Sequence, residues 1–248
     1  MWFHISLIAL AGLLLVGCGS NNTSTTPTLT PSIATPIPVV QQTDVINYVT
    51  NTYNVLVAPG NNYVPNTQIR YVQKVQDQFE LNIDGLQAFR RNGDIITWKG
   101  LVAPGLSTDY NLVLAASSEN SLFTQGTVAI NVFNPMPVEL LGFPALVSPS
   151  VYSNLLLQYN VPQGQTIPGT TLVFDGQTDQ GIRFSGTSQY PYYTTGSSLT
   201  YVGGLRQNVF VRYDLVLVGV SNGVLQVTGT GEMRYEPYRP PVQAVPFN

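Results

Sequence analysis

The chain has 248 residues, a formal net charge of −3 and only 9% charged side chains, against about 25% in an ordinary soluble domain. Its Lys and Arg are scattered rather than gathered into a stripe, which argues against a nucleic-acid partner. His4 and Cys18 are the only imidazole and the only thiol, so beyond residue 18 neither a Ser-His-Asp or Cys-His nucleophile nor a His/Cys zinc site can be assembled, and no disulfide can form within the chain.

In chain order, Trp2 to Val16 is apolar except at His4, Ser6 and Gly12. That is the length of a signal-peptide core and shorter than the roughly 20 residues a bilayer span needs. Leu15-Val16-Gly17-Cys18 follows, and the composition then turns to Ser, Asn, Thr and Pro. These four positions resemble the lipobox of bacterial lipoproteins. The resemblance implies cleavage after Gly17, a covalent lipid on Cys18, and display on the extracytoplasmic side of a membrane. Gly19, where some members carry an inner-membrane retention Asp, leans towards the outer membrane or cell surface. No Lys or Arg precedes Arg70, which departs from the usual basic start of such signals.

Residues 18–40 are rich in Ser, Thr and Pro, with Pro27, Pro31, Pro36 and Pro38. Such a stretch buries too little apolar surface to order itself and reads as a tether. From Gln41 the pattern is all-β: short β-branched and aromatic runs divided by Gly, Asn and Pro. The first series of expected strands is Val45–Val57, Gln68–Val75, Gln78–Ile83, Leu86–Arg91, Asp94–Leu101, Asp109–Ser117 and Gly126–Phe133. Asp84-Gly85 and Asn92-Gly93 read as two-residue hairpin turns. Asn134-Pro135-Met136-Pro137 interrupts the series. A second series follows: Val138–Val147, Tyr152–Tyr159, Thr170–Phe174, Gly181–Gly186, Ser198–Gly203, Phe210–Val220 and Val224–Tyr235, with a hairpin at Asn222-Gly223. The expected organisation is a signal over 1–17, a tether over 18–40, β-sandwich domains over 41–134 and 137–237, and an extended tail over 238–248.

The two series align without a gap when Gly93 is set on Gly196. Thr97-Trp98-Lys99-Gly100 then falls on Thr200-Tyr201-Val202-Gly203, and Tyr110-Asn111-Leu112-Val113-Leu114 on Tyr213-Asp214-Leu215-Val216-Leu217. This indicates a tandem duplication. Thr97 to Leu101, Pro104-Gly105 and the strand opening at Tyr110 resemble the corner between two strands of fibronectin type III and related immunoglobulin-like sandwiches. The resemblance implies two tandem immunoglobulin-like domains in which Tyr110 and Tyr213 are buried rings with hydroxyls bonded to backbone.

Three local features bear on function. Asp175 and Asp179 in a Gly-rich loop have the oxygen chemistry for calcium but lack EF-hand spacing, and an ordinary hairpin connection accounts for them. Tyr190, Tyr192 and Tyr193 concentrate aromatic rings beside Ser, Thr and Gly. They form a candidate ligand contact, for a glycan or a protein, or else cover one end of the core. Arg90-Arg91 beside Asn92-Gly93-Asp94 reads as a solvated hairpin tip. The leading expectation is therefore a non-enzymatic envelope lipoprotein with a structural or adhesive role. It would hold a membrane through the lipid on Cys18, with an envelope or surface protein as partner and no other cofactor. A glycan-binding module is the alternative, and a carboxylate-based hydrolase the third class.

Overall fold

The structure, a computed structural model, describes residues 44–59, 62–118, 121–147 and 149–237, and these belong to one compact unit. Cys18, the signal-like run, the tether and the tail over 238–248 lie outside the described residues. Among the described residues every regular element is a strand. The first repeat contains β1 (Val45–Val57), β2 (Ile69–Val75), β3 (Gln78–Ile83), β4 (Leu86–Arg91), β5 (Ile95–Ala103), β6 (Leu106–Ser118) and β7 (Ser121–Phe133). A short β8 (Val138–Glu139) precedes the second repeat: β9 (Ser150–Pro162), β10 (Val173–Thr178), β11 (Gly181–Ser185), β12 (Tyr192–Tyr193), β13 (Ser198–Arg206), β14 (Val209–Ser221) and β15 (Val224–Tyr235).

Period-two burial explains why these segments are strands. Along β14, Val209, Val211, Tyr213, Leu215 and Leu217 are buried while Arg212, Asp214, Val216 and Val218 are exposed. Phe79 and Leu81 do the same in β3. Turn chemistry matches at two hairpins. Asp84-Gly85 and Asn222-Gly223 have positive φ at both positions, 52° and 85° in the first and 52° and 74° in the second, which suits the twist of the flanking strands.

The nine long-sheet strands run antiparallel in the order β5-β6-β7-β1-β9-β15-β14-β13-β8 and form a curled half-barrel. Register breaks in β1 between Thr50 and Tyr53, in β6 between Leu114 and Ala116, and in the β15–β9 pair between Gly231 and Met233 supply the extra twist that such curling needs. Two small sheets, β2-β3-β4 and β10-β11-β12, complete the fold. A single buried cluster of apolar side chains runs through all three sheets.

Several expected elements differ in the structure, each for a local reason. Asn92-Gly93 is not a hairpin, because β4 and β5 belong to different sheets. Gly93, at φ 90°, instead completes a turn in which the Asp94 carboxylate accepts the Arg91 backbone N–H at 2.7 Å. The expected strand Val138–Val147 shrinks to Val138–Glu139, since Gly142 and Pro144 follow and Leu141 and Val147 have no core to enter. The expected strand Thr170–Phe174 moves on to Val173–Thr178 because the Thr170 hydroxyl closes a turn, donating to the Ile167 carbonyl and accepting the Leu172 N–H. Tyr192–Tyr193, which the sequence allowed as a loop or an edge strand, is a short edge strand beside β11. The two repeats also share one continuous sheet across β1 and β9 rather than owning separate ones.

The repeats are related by a pseudo-twofold axis at that junction. Thr50 pairs with Val128 and Leu155 with Gly231, equivalent partners, and Thr50 and Leu155 pair with each other. Thr67 repeats the Thr170 turn, with the same two hydrogen bonds to Val64 and Ile69. Gly126 and Gly229 are equivalent as well. A Cβ on either would overlap a backbone carbonyl of the neighbouring strand, that of Asn111 or Asp214. We expect Gly126→Ala and Gly229→Ala each to lower unfolding free energy by about 1–3 kcal/mol in urea titrations, the cost of forcing volume into a closed contact. An unchanged midpoint for both would show that the strands can separate freely at these positions.

Candidate functional site

The three candidate tyrosines lie at one end of the second repeat, where β12 pairs with β11 through Ile182–Tyr193 and Arg183–Tyr192. Neighbouring residues of a strand point to opposite faces, so Tyr192 and Tyr193 part company. Tyr193 turns inward and packs edge-on against Phe184, ring centroids 5.8 Å apart. Burial raises its hydroxyl pKa, and the Glu139 carboxylate adds to the shift. Tyr192 meets Tyr190 instead, with centroids 5.9 Å apart and planes tilted by 60°. Tyr190 is 69% exposed and offers most of a ring to solvent. Tyr190 is thus the exposed member of the triplet, while Tyr192 and Tyr193 are both half-buried on opposite faces of β12, Tyr192 against Tyr190 and Tyr193 against Phe184.

Tyr193 with Thr194 and Thr195 also lines a shallow hollow of about 220 Å³ against the β10–β11 turn, whose wall includes Thr178, Asp179 and Gln180. Two segments flagged separately in the sequence therefore meet here. Asp175 is committed elsewhere: it accepts the Ser185 hydroxyl at 2.8 Å and pairs with Arg183 at 3.4 Å. Among the described residues no group of three His, Cys, Asp or Glu side chains is arranged to hold a metal. The loop acts as a hairpin connection, with the Thr178 hydroxyl donating to the Gly181 carbonyl at 3.1 Å.

Most of the other tyrosines are interior. Tyr110 donates to the Pro65 carbonyl at 3.1 Å and accepts from Tyr152 at 2.5 Å, while Tyr235 donates to Tyr152 at 3.4 Å. A phenol has one proton, so the chain runs Tyr235 to Tyr152 to Tyr110 to Pro65. On the other side of the pseudo-twofold, Tyr213 and Tyr48 share a short hydroxyl–hydroxyl contact. Both pairs cross between repeats: Tyr48 of β1 reaches β14, and Tyr152 of β9 reaches β6. Asn66, at φ 64°, donates to the Tyr152 hydroxyl at 3.4 Å. Its equivalent Gly169, at φ 78°, has no room for a Cβ beside the Tyr48 and Tyr213 hydroxyls.

Burial holds these hydroxyls protonated. The pKa of Tyr213 is pushed up first by burial and then by Tyr48, and that of Tyr110 by burial and then by Tyr152 and Tyr53. Tyr159 is raised to about 12 by burial alone. A phenol so held is a poor base or nucleophile at neutral pH, so the network acts as a structural clasp between the repeats. Both rings are buried as expected, and the Tyr110 hydroxyl finds the expected backbone carbonyl, but the Tyr213 hydroxyl meets Tyr48 instead; Tyr48 and Tyr152 as partners were not foreseen. The signal available was the recurrence of a Tyr early in the first strand of each repeat.

No family model matches the chain, and no curated protein and no solved structure matches it either.

Proposed function

We propose that this chain is an envelope lipoprotein with a non-enzymatic, structural or adhesive role, held by a lipid on Cys18 and presenting its β body on a polar tether. The observation that carries the reading is Leu15-Val16-Gly17-Cys18 at the end of a short apolar run, followed at once by residues 19–40 rich in Ser, Thr and Pro. A diacylglyceryl group with an N-acyl chain supplies more than the two anchoring signals that stable membrane attachment needs. The lack of imidazole and thiol beyond residue 18 and the structural use of the buried phenols support a binding or scaffolding role over catalysis. Each repeat reads as one immunoglobulin-like unit, fused to its neighbour through β1 and β9 after duplication.

The test is intact mass and membrane fractionation of wild type beside Cys18→Ser. Wild type is expected in the membrane with the mass of residues 18–248 plus acyl groups, and the variant is expected to keep its N-terminus. Full-length wild type without added lipid would overturn the reading.

The glycan-binding alternative has one observation in its favour, the exposed Tyr190 ring set against the half-buried Tyr192, since exposed aromatic faces stack on sugar rings. Under that reading, Tyr190→Ala with Tyr192→Ala abolishes glycan-array binding and leaves the unfolding midpoint within about 0.5 kcal/mol of wild type, as for surface changes generally. An array that stays blank with wild type would remove the alternative.

A further inference from the structure

The two outer edges of the long sheet are not treated alike. In the second repeat the edge strand β13 is covered. Gly203 and Gly204 pair with Glu139 and Val138 of β8, and the N–H groups of Met136 and Leu140 extend the pairing to the Leu205 and Val202 carbonyls at 2.7 and 2.8 Å. The loop before β12 closes the rest. Glu139 accepts from the Thr187 hydroxyl and the Ser188 N–H, and the Gln189 amide donates to the Thr200 carbonyl at 3.0 Å. In the first repeat the equivalent edge strand β5 ends the sheet, and no described strand pairs with its outer side. Beside it Leu101 is 72%, Ile95 59% and Leu86 74% exposed. A groove of about 400 Å³ separates Ile95, Ile96 and Thr97 from Leu86 and Ala88 of β4. An open strand edge with apolar flanks is a template for adding a strand.

The chain also holds a second example of the segment that covers β13. Asn134-Pro135-Met136-Pro137-Val138-Glu139 precedes the second repeat, and Thr35-Pro36-Ile37-Pro38-Val39-Val40 precedes the first. The two share both prolines and the valine at identical spacing, with Ile for Met. The spacing has a physical reason. Residues 136, 138 and 140 turn their N–H groups to β13, so Pro135 and Pro137 sit where an N–H would face away, and proline costs nothing there. Ile37, Val39 and Gln41 repeat the donor positions.

The segment cannot take that register on its own β5. Ten residues, 140–149, lead from β8 to β9, but only four, 41–44, separate Val40 from β1. The Asp44 carbonyl is fixed beside β7 by the Asn134 N–H at 2.7 Å. Gln41 opposite Lys99 would lie four strand spacings from Asp44, about 19 Å along the sheet. Three Cα steps span at most about 11 Å.

We propose that the outer edge of β5 accepts Thr35–Val40 of a second copy of this chain, which adds there as an antiparallel strand. Copies exchange segments in this way and associate through main-chain pairing, with Leu101 and Ile95 covered by the incoming strand. The reading does not depend on lipidation, since neither partner surface includes Cys18.

The test places a photo-cross-linking amino acid at Leu101 of the full chain. Irradiation is expected to give adducts of two or more chains, with the cross-link mapped to residues 35–40. Val39→Pro removes the central donor and is expected to abolish that adduct while leaving the circular dichroism spectrum unchanged. The same adduct is expected in the Cys18→Ser protein, so failure of the lipoprotein reading is scored separately. A cross-link within one chain, to the tail over 238–248 or to another protein overturns the proposal. So does no adduct, or an adduct that survives Val39→Pro.

Discussion

Between about pH 10.5 and 12 the protein is expected to lose its β signal in one cooperative step. Tyr48, Tyr53, Tyr110, Tyr152, Tyr213 and Tyr235 all have hydroxyl pKa values raised, with burial the largest cause in each. In the unfolded chain they titrate near pH 10. Above that pH the unfolded state has shed protons that the folded state still holds, so stability falls as pH rises. It is fully present below the unfolded pKa and lost on the way up to the folded values. Each such tyrosine contributes a slope of about 1.4 kcal/mol per pH unit. Several acting together exceed a typical stability of about 5–15 kcal/mol within one to two units. Circular dichroism and tyrosinate absorbance followed together give the check. Most of the tyrosinate absorbance should appear together with the loss of the β signal. Full tyrosinate absorbance with the β signal intact would show that the buried phenols are open to solvent.

Replacing Tyr213 by alanine should cost about 3–5 kcal/mol, the range for deleting a large aromatic side chain from a packed core. The ring is fully buried, stacks with Tyr201 at 6.1 Å and leans on Tyr48 at 6.2 Å. Tyr213→Phe isolates the hydroxyl contribution. It keeps the ring and strands the Tyr48 hydroxyl in a dry core, at about 1–3 kcal/mol. Tyr48→Phe with Tyr213→Phe removes both polar groups, so the double variant should be more stable than the sum of the two single losses implies. A double-mutant cycle in urea measures this coupling. Additive losses would mean that the two hydroxyls do not depend on each other. Because the pair joins β1 to β14, the cycle reports on the clasp between repeats rather than on either repeat alone.

These tyrosines help explain why the two repeats, with so few charges and no disulfide, form one unit. A boundary drawn at Asn134–Pro137 separates the repeats along the sequence, but the Tyr48–Tyr213 and Tyr110–Tyr152 hydroxyl contacts cross it. The connection itself is structural, since Met136, Val138 and Leu140 leave one repeat and seal the edge of the other. Arg206 adds a further tie, donating to the Phe133 and Asn134 carbonyls beside Gly105 of the opposite repeat.

Local chemistry was enough to determine the all-β class, the seven strands of the first repeat, the hairpins at Asp84-Gly85 and Asn222-Gly223, and the likeness of the two series. Alternation, β-branching and paired left-handed turn residues act within a few positions of each other, so they are visible in order along the chain. The inward direction of Tyr110 and Tyr213 was implied by the resemblance of Thr97 to Leu101 and the strand opening at Tyr110 to a fibronectin-type corner. Only the tertiary structure decided what depends on distant partners. It joined β1 to β9 in one sheet, set Tyr48 against Tyr213 and Tyr152 against Tyr110, and sent Asn92-Gly93 between sheets instead of around a hairpin. It also set Tyr190 against Tyr192 and turned Tyr193 onto Phe184. Strand neighbours are chosen by the shape of the whole core, and side-chain spacing specifies which face is buried without naming the segment that will cover it.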